Sequence, residues 1–164
     1  MLKQHLKLSK QMKYLFSLFF IGLLIMGCGK EEQLSQEEQL AIDRASIEQY
    51  LSDNNLTAEV TPEGIYYIIE EPGTGGNPDV FSTVIVNYKG YFLDGEVFDQ
   101  TPGSPITFAL TSVIAGWTLG IPLFQKGGKG TLLIPSYLGY GTIGQGPIGP
   151  NTPLIFDVEL INFN

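Results

Sequence analysis

Glycine and proline cut the sequence from Gly64 onward into runs too short for any long helix, and this punctuation constrains the fold more than any other feature. The runs between the cuts are rich in β-branched and aromatic residues. Ile65-Tyr66-Tyr67-Ile68-Ile69, Thr83-Val84-Ile85-Val86-Asn87-Tyr88, Tyr91-Phe92-Leu93, Val97-Phe98-Asp99 and residues 106–110, 131–134 and 154–163 all read as strands. Asp94-Gly95, between two of them, is a strong hairpin turn. Residues 72–78 and 140–153, dominated by Gly and Pro, must be loop. One short helix fits, over residues 117–124, broken or kinked near Pro122. Strands outnumber helices and the single helix falls between strands. That pattern predicts an α+β domain, one antiparallel sheet wrapped on a short helix.

Upstream the pattern changes. Leu40, Ala41, Ala45, Ile47, Tyr50 and Leu51 form a loose apolar stripe among charges, which predicts a helix over residues 37–56 with a stop at Asn54-Asn55. Docking on the domain, or spacing it from an anchor, is the default expectation for this helix; dimerisation is the other. Further back, Lys3, Lys7, Lys10 and Lys13 accompany an apolar run over residues 14–26. About 13 apolar residues are short for a membrane span and suit the core of a secretory leader. Met12 starts as good a leader as Met1. Leu24-Ile25-Met26-Gly27-Cys28 resembles a bacterial lipobox, which implies cleavage before Cys28 and lipid on its sulfur. The plain alternative is a cysteine buried in an apolar segment. Lys30-Glu31-Glu32 resembles the surface-export signal of some Bacteroidota lipoproteins, or is simply a solvated tether. The expected organisation is a leader (1–27), a tether with N-terminal helix (28–60) and one folded domain (61–164). The expected location is the cell envelope, as a lipoprotein of the outer membrane on its periplasmic or surface face.

Cleavage would reshape the charge. Four of the nine basic residues lie in the leader and none of the seventeen acidic ones, leaving five against seventeen, a net −12. So acidic a chain argues against nucleic acid and against electrostatic binding to anionic lipid, so the lipid anchor alone would make the membrane contact. The same cut removes His5, the only histidine, and commits the only cysteine to lipid. Cys or His nucleophiles, histidine proton transfer and ordinary zinc sites are then excluded, and no metal or cofactor is expected.

Six motifs follow one another in the strand-rich region: Val86-Asn87-Tyr88-Lys89-Gly90, Asp94-Gly95-Glu96-Val97-Phe98-Asp99, Val113-Ile114-Ala115-Gly116-Trp117, Gly127-Gly128-Lys129, Ile134-Pro135-Ser136-Tyr137-Leu138-Gly139-Tyr140-Gly141 and Phe156-Asp157-Val158-Glu159-Leu160. In this order, over about 100 residues, they resemble the FKBP-type peptidyl-prolyl cis/trans isomerase domain. The resemblance implies a five- to six-stranded antiparallel sheet curved around one short helix, with an apolar pocket between them. It implies that Trp117 forms the pocket floor, that Tyr88, Phe98, Val113, Ile114 and Phe156 line its walls with Phe108 contributing, and that Ile148 closes it from the long loop. It implies further that Tyr140 and the Ile114 N–H bond substrate carbonyls and that Asp99 presents its carboxylate, with Tyr88, Phe98, Asp99 and Tyr140 as the catalytic set. Family members often carry an arginine after the Phe-Asp pair. Here Gln100-Thr101-Pro102-Gly103-Ser104-Pro105 supplies no cation, so Asp99 is expected to be held by the Tyr88 hydroxyl or by backbone donors, or else to titrate higher.

The activity implied is isomerisation of Xaa-Pro bonds in exported polypeptides, and the implied ligands include macrolides such as FK506 and rapamycin. A non-catalytic chaperone or adaptor holding Pro-containing segments in the same groove is the alternative, and a purely structural surface lipoprotein is a third reading. The sequence leaves the oligomeric state open.

Overall fold

The computed structural model describes residues 34–164. The expected leader, the lipobox-like approach to Cys28 and the Lys30-Glu31-Glu32 segment lie outside the described residues. Helix α1 (Gln36–Asp53) opens with a capping box, in which the Ser35 hydroxyl accepts from the Glu38 N–H while the Glu38 carboxylate accepts from the Ser35 N–H. Asn54 caps its C-terminus, one residue before Asn55 takes a left-handed conformation. The strands are β1 (Glu59–Val60), β2 (Tyr66–Glu71), β3 (Thr83–Tyr91), β4 (Val97–Gln100), β5 (Ile106–Ala109), β6 (Lys129–Ile134) and β7 (Leu154–Phe163). Helix α2 (Ala115–Gly120) lies between β5 and β6 and runs into a single 3-10 turn, Ile121–Leu123. Pro122 falls inside that turn, so the helix ends where its missing N–H would have cost a bond.

All pairings are antiparallel, in the order β1-β2-β6-β7-β3-β4, with β5 also on β3. Because β7 occupies one edge of β3, β4 and β5 share the other, against Lys89–Tyr91 and Thr83–Val86 respectively. Seven strands therefore fill six positions. The strand unforeseen from sequence is β1, two exposed residues that show no alternation.

Strand period two sorts the sheet into two faces. Val84 and Val86 of β3, Leu132 and Ile134 of β6, and Leu154, Phe156, Val158 and Leu160 of β7 pack with Trp117, Ile121 and Phe124 into the main core. Gly116 lets α2 come this close, since a Cβ there would fall 2.4 Å from Ile134 Cγ2. On the opposite face Tyr66, Leu133 and Ile155 meet Ile47 and Leu51 of α1 in a second, smaller core. Asp43 of α1 is 1% exposed, and its carboxylate accepts from the Ser136 backbone N–H at 2.7 Å and from Gln39 Nε2 at 2.7 Å. The N-terminal helix is thus docked on the sheet. Among the described residues no helix is long and apolar enough to cross a membrane.

Candidate functional site

Four strands each deliver an aromatic ring to the same end of the main core. Tyr88 of β3, Phe108 of β5 and Phe156 of β7 stand edge-on to Trp117 of α2, with ring centroids 5.1, 5.6 and 5.3 Å away. Phe98 of β4 packs edge-on to Phe156 at 5.5 Å and against Phe92 at 5.0 Å. Each such pair is worth about 0.5–1.5 kcal/mol beyond its buried area, so the rings brace one another. Gly90 makes the space, since a Cβ there would lie 2.7 Å from the Phe98 ring and 2.8 Å from Phe156.

The rings do not fill the volume between them. They bound an open cavity of about 430 Å³, lined by Tyr88, Phe98, Asp99, Phe108, Ser112, Val113, Ile114, Trp117, Tyr140 and Phe156. Trp117, only 4% exposed, lies deep in its lining, and its indole N–H is buried without an acceptor among the described residues. Cavities that are mostly apolar with a few polar groups at the edge are the usual form of ligand sites.

Those polar groups are few. The Tyr88 hydroxyl donates to Asp99 Oδ2 at 2.5 Å, and the Gln100 N–H donates to Asp99 Oδ1 at 2.9 Å. Asp99 is therefore held by a phenol and a backbone amide where no cation is available. Burial, then the bond to Asp99 and its charge, push the Tyr88 hydroxyl well above the ordinary phenol range. Tyr140 is pushed up as well, by burial first and by the charge of Asp99 second. Both phenols stay protonated at neutral pH, and Tyr140 can donate to a guest. At the start of α2 the Ile114 carbonyl accepts from the N–H groups of Trp117 and Thr118, while the Ile114 N–H meets no backbone acceptor among the described residues. The cavity thus offers rigid aromatic walls, two donors at its edge and one carboxylate.

Nine of the ten pocket residues inferred from sequence meet around this cavity. Ile148 does not line it. Its segment turns back on itself through paired bonds between the Gln145 and Ile148 backbones, at 2.8 and 2.9 Å, and the Ile148 side chain packs into the main core at 6% exposure. Ile143, in the same loop, is 90% exposed. Ser112 is the lining residue sequence reasoning missed, because a serine before Val113-Ile114 belongs to no apolar pattern.

A family model for FKBP-type peptidyl-prolyl cis-trans isomerases matches residues 75–161. The chain is 40% identical over 134 residues to the FKBP-type peptidyl-prolyl cis-trans isomerase FkpA of Escherichia coli K12, covering 79% of this chain and 50% of that protein. It is 36% identical over 160 residues to the outer membrane protein MIP of Legionella longbeachae, covering 94% and 66%. The chain thus spans about half the length of FkpA, the first of these relatives. Among solved structures, a peptidyl-prolyl cis-trans isomerase of Pseudomonas syringae superposes with a TM-score of 0.69 at 36% identity, over 80% of this chain and 98% of the other. Crystalline E. coli FkpA superposes at 0.67 and 30% identity, over 99% and 91%.

Proposed function

Since the chain belongs to the FKBP-type peptidyl-prolyl cis-trans isomerase family, we propose that its aromatic cavity catalyses rotation about Xaa-Pro bonds and so assists the folding of exported proteins. The observation that carries the proposal is the open, mostly apolar cavity over Trp117, with the few donors that line it, among them the unpaired indole N–H. Rotation about a prolyl amide faces a barrier of roughly 20 kcal/mol, because planarity is held by resonance, and takes tens of seconds unaided. At the half-turned transition state that resonance is lost and the carbonyl oxygen is less negative. Walls of Phe98, Trp117 and Phe156 solvate this less polar state better than the planar amide, which is differential binding of the transition state. The Tyr140 hydroxyl and the Ile114 N–H would hold flanking carbonyls in register. Each tenfold in rate needs about 1.4 kcal/mol, so a few such contacts suffice without nucleophile, metal or cofactor.

The test is isomerisation of a proline tetrapeptide, alone and with rapamycin or FK506. Acceleration abolished by the macrolide is expected; binding without acceleration would make the protein a chaperone or adaptor instead. The envelope location is part of the proposal. It rests on the leader-like residues 1–27, on the lipobox-like approach to Cys28 and on a relative named as an outer membrane protein. Lys30-Glu31-Glu32 supports a Bacteroidota-like surface lipoprotein. Labelled palmitate should enter the protein and be absent from Cys28→Ala; label that persists in the variant overturns the anchor.

A further inference from the structure

Ten residues line the cavity, and Asp99 is the only one of them that carries a charge. Its carboxylate is exposed at the opening and is held by two neutral donors, the Tyr88 hydroxyl and the Gln100 N–H. Neither removes the negative charge. The described residues contain four cations, and none of them forms an ion pair with Asp99. Arg44 of α1 lies beside Gly64. Lys89 sits over the Tyr91 ring, 4.8 Å from its centre. Lys126 packs by Gly75. Lys129 pairs with Glu71 and Glu159 at 3.5 and 3.6 Å. No ion pair of Asp99 exists among the described residues. No cation neutralises it there, and its charge helps to hold the Tyr88 and Tyr140 hydroxyls above the ordinary phenol range, in their protonated form.

We propose that Asp99 makes the cavity charge-selective, favouring segments with Lys or Arg beside the proline and disfavouring those with Asp or Glu there. This rests on the isomerase reading above and names the substrate class of the same site. A peptide whose prolyl ring enters the aromatic walls brings its neighbouring residues to the opening, where Asp99 stands. A cation there gains a partner that the protein itself does not supply. An anion there meets uncompensated repulsion in a medium drier than bulk water, where charge interactions are stronger. An exposed carboxylate limits the effect to roughly threefold in each direction from a neutral residue.

The experiment uses neutral-capped tetrapeptides Ala-Xaa-Pro-Phe with Xaa as Lys, norleucine or Glu. Isomerisation is read by NMR exchange, and affinity by the fluorescence of Trp117, the chain's only tryptophan. Both kcat/KM and affinity should fall in the order Lys, norleucine, Glu, with a Lys-to-Glu ratio of roughly tenfold. That ratio should shrink at about 0.5 M salt, where screening acts within a few ångströms. It should approach one in Asp99→Asn, and also in Gln100→Arg, which sets a cation beside the carboxylate from an exposed position and leaves Asp99 in place. Equal values for Lys and Glu, or a ratio unchanged by salt and by both variants, would overturn the proposal. Acceleration of none of the peptides with the affinity order intact would remove the isomerase reading and leave the charge selection standing. Acceleration that ignores charge would do the reverse.

Discussion

Tyr88 joins the two chemistries of the cavity. Its ring stands edge-on to Trp117 at 5.1 Å, and its hydroxyl holds Asp99 at 2.5 Å. One side chain thereby fixes both a wall and the carboxylate at the opening. Gly90, two positions along the same strand, is the counterpart that leaves room. A methyl group there would collide with Phe98 and Phe156, and forcing atoms into packed rings costs about 1–3 kcal/mol. Gly90→Ala should therefore unfold at lower denaturant and lose roughly tenfold or more in kcat/KM on a prolyl peptide, both read on one preparation. Most residues around the cavity were legible in sequence only through the family resemblance that the six ordered motifs carry, since aromatics on strands by themselves read as core. Ser112 was not, having no apolar signature. Ile148 was expected to close the pocket from the long loop; the Gln145–Ile148 turn packs its side chain into the core, a direction that position along a loop does not reveal.

Among the elements, α1 shows how a weakly patterned helix can still be fixed. Only Asp43, Ile47 and Leu51 are buried, so the stripe that sequence reveals is thin, and its use for docking could not be separated from other uses. What decides is a contact invisible to periodicity, the Asp43 carboxylate accepting from the Ser136 N–H across 93 positions of sequence. Asp43→Ala leaves that buried N–H without a partner and should cost about 1–3 kcal/mol, seen as a lower midpoint in urea. Tyr66, on the strand beneath the helix, gives the interface a pH signature. Burial first, then the hydrogen bond to Glu48 at 2.7 Å, push its hydroxyl from 10.0 up to about 12. The folded state keeps this proton where the unfolded chain releases it. The stability tied to Tyr66 is therefore whole below about pH 10 and lost as the pH rises to about 12. Denaturation midpoints should fall across that window, and Tyr66→Phe should fall less steeply. Strand positions were legible wherever β-branched and aromatic residues cluster between turn signals, even in the four-residue β4 and β5. The pair Glu59–Val60 is too short to carry a pattern, and sequence left it in the linker.

At the scale of the whole molecule, the described residues form a sheet covered on both faces, by α2 on one and by α1 on the other. The open end of the inner core is the cavity, set between β3, β4, β5, β7 and the start of α2. The α+β class, the hairpin at Asp94-Gly95 and the helix ending at Pro122 follow from local chemistry that sequence states directly. The splitting of one sheet edge between β4 and β5 does not, because pairing partners are chosen by tertiary contact. The central claim is that rotation of a prolyl bond is eased by dry aromatic walls. It is tested most directly by kcat/KM for a proline tetrapeptide in the wild type and in Phe98→Ala, with circular dichroism to confirm the fold. Removing one wall should admit water and lower kcat/KM by tenfold or more, which is about 1.4 kcal/mol or more of lost transition-state stabilisation. A folded Phe98→Ala protein that isomerises the peptide as fast as the wild type would contradict the account.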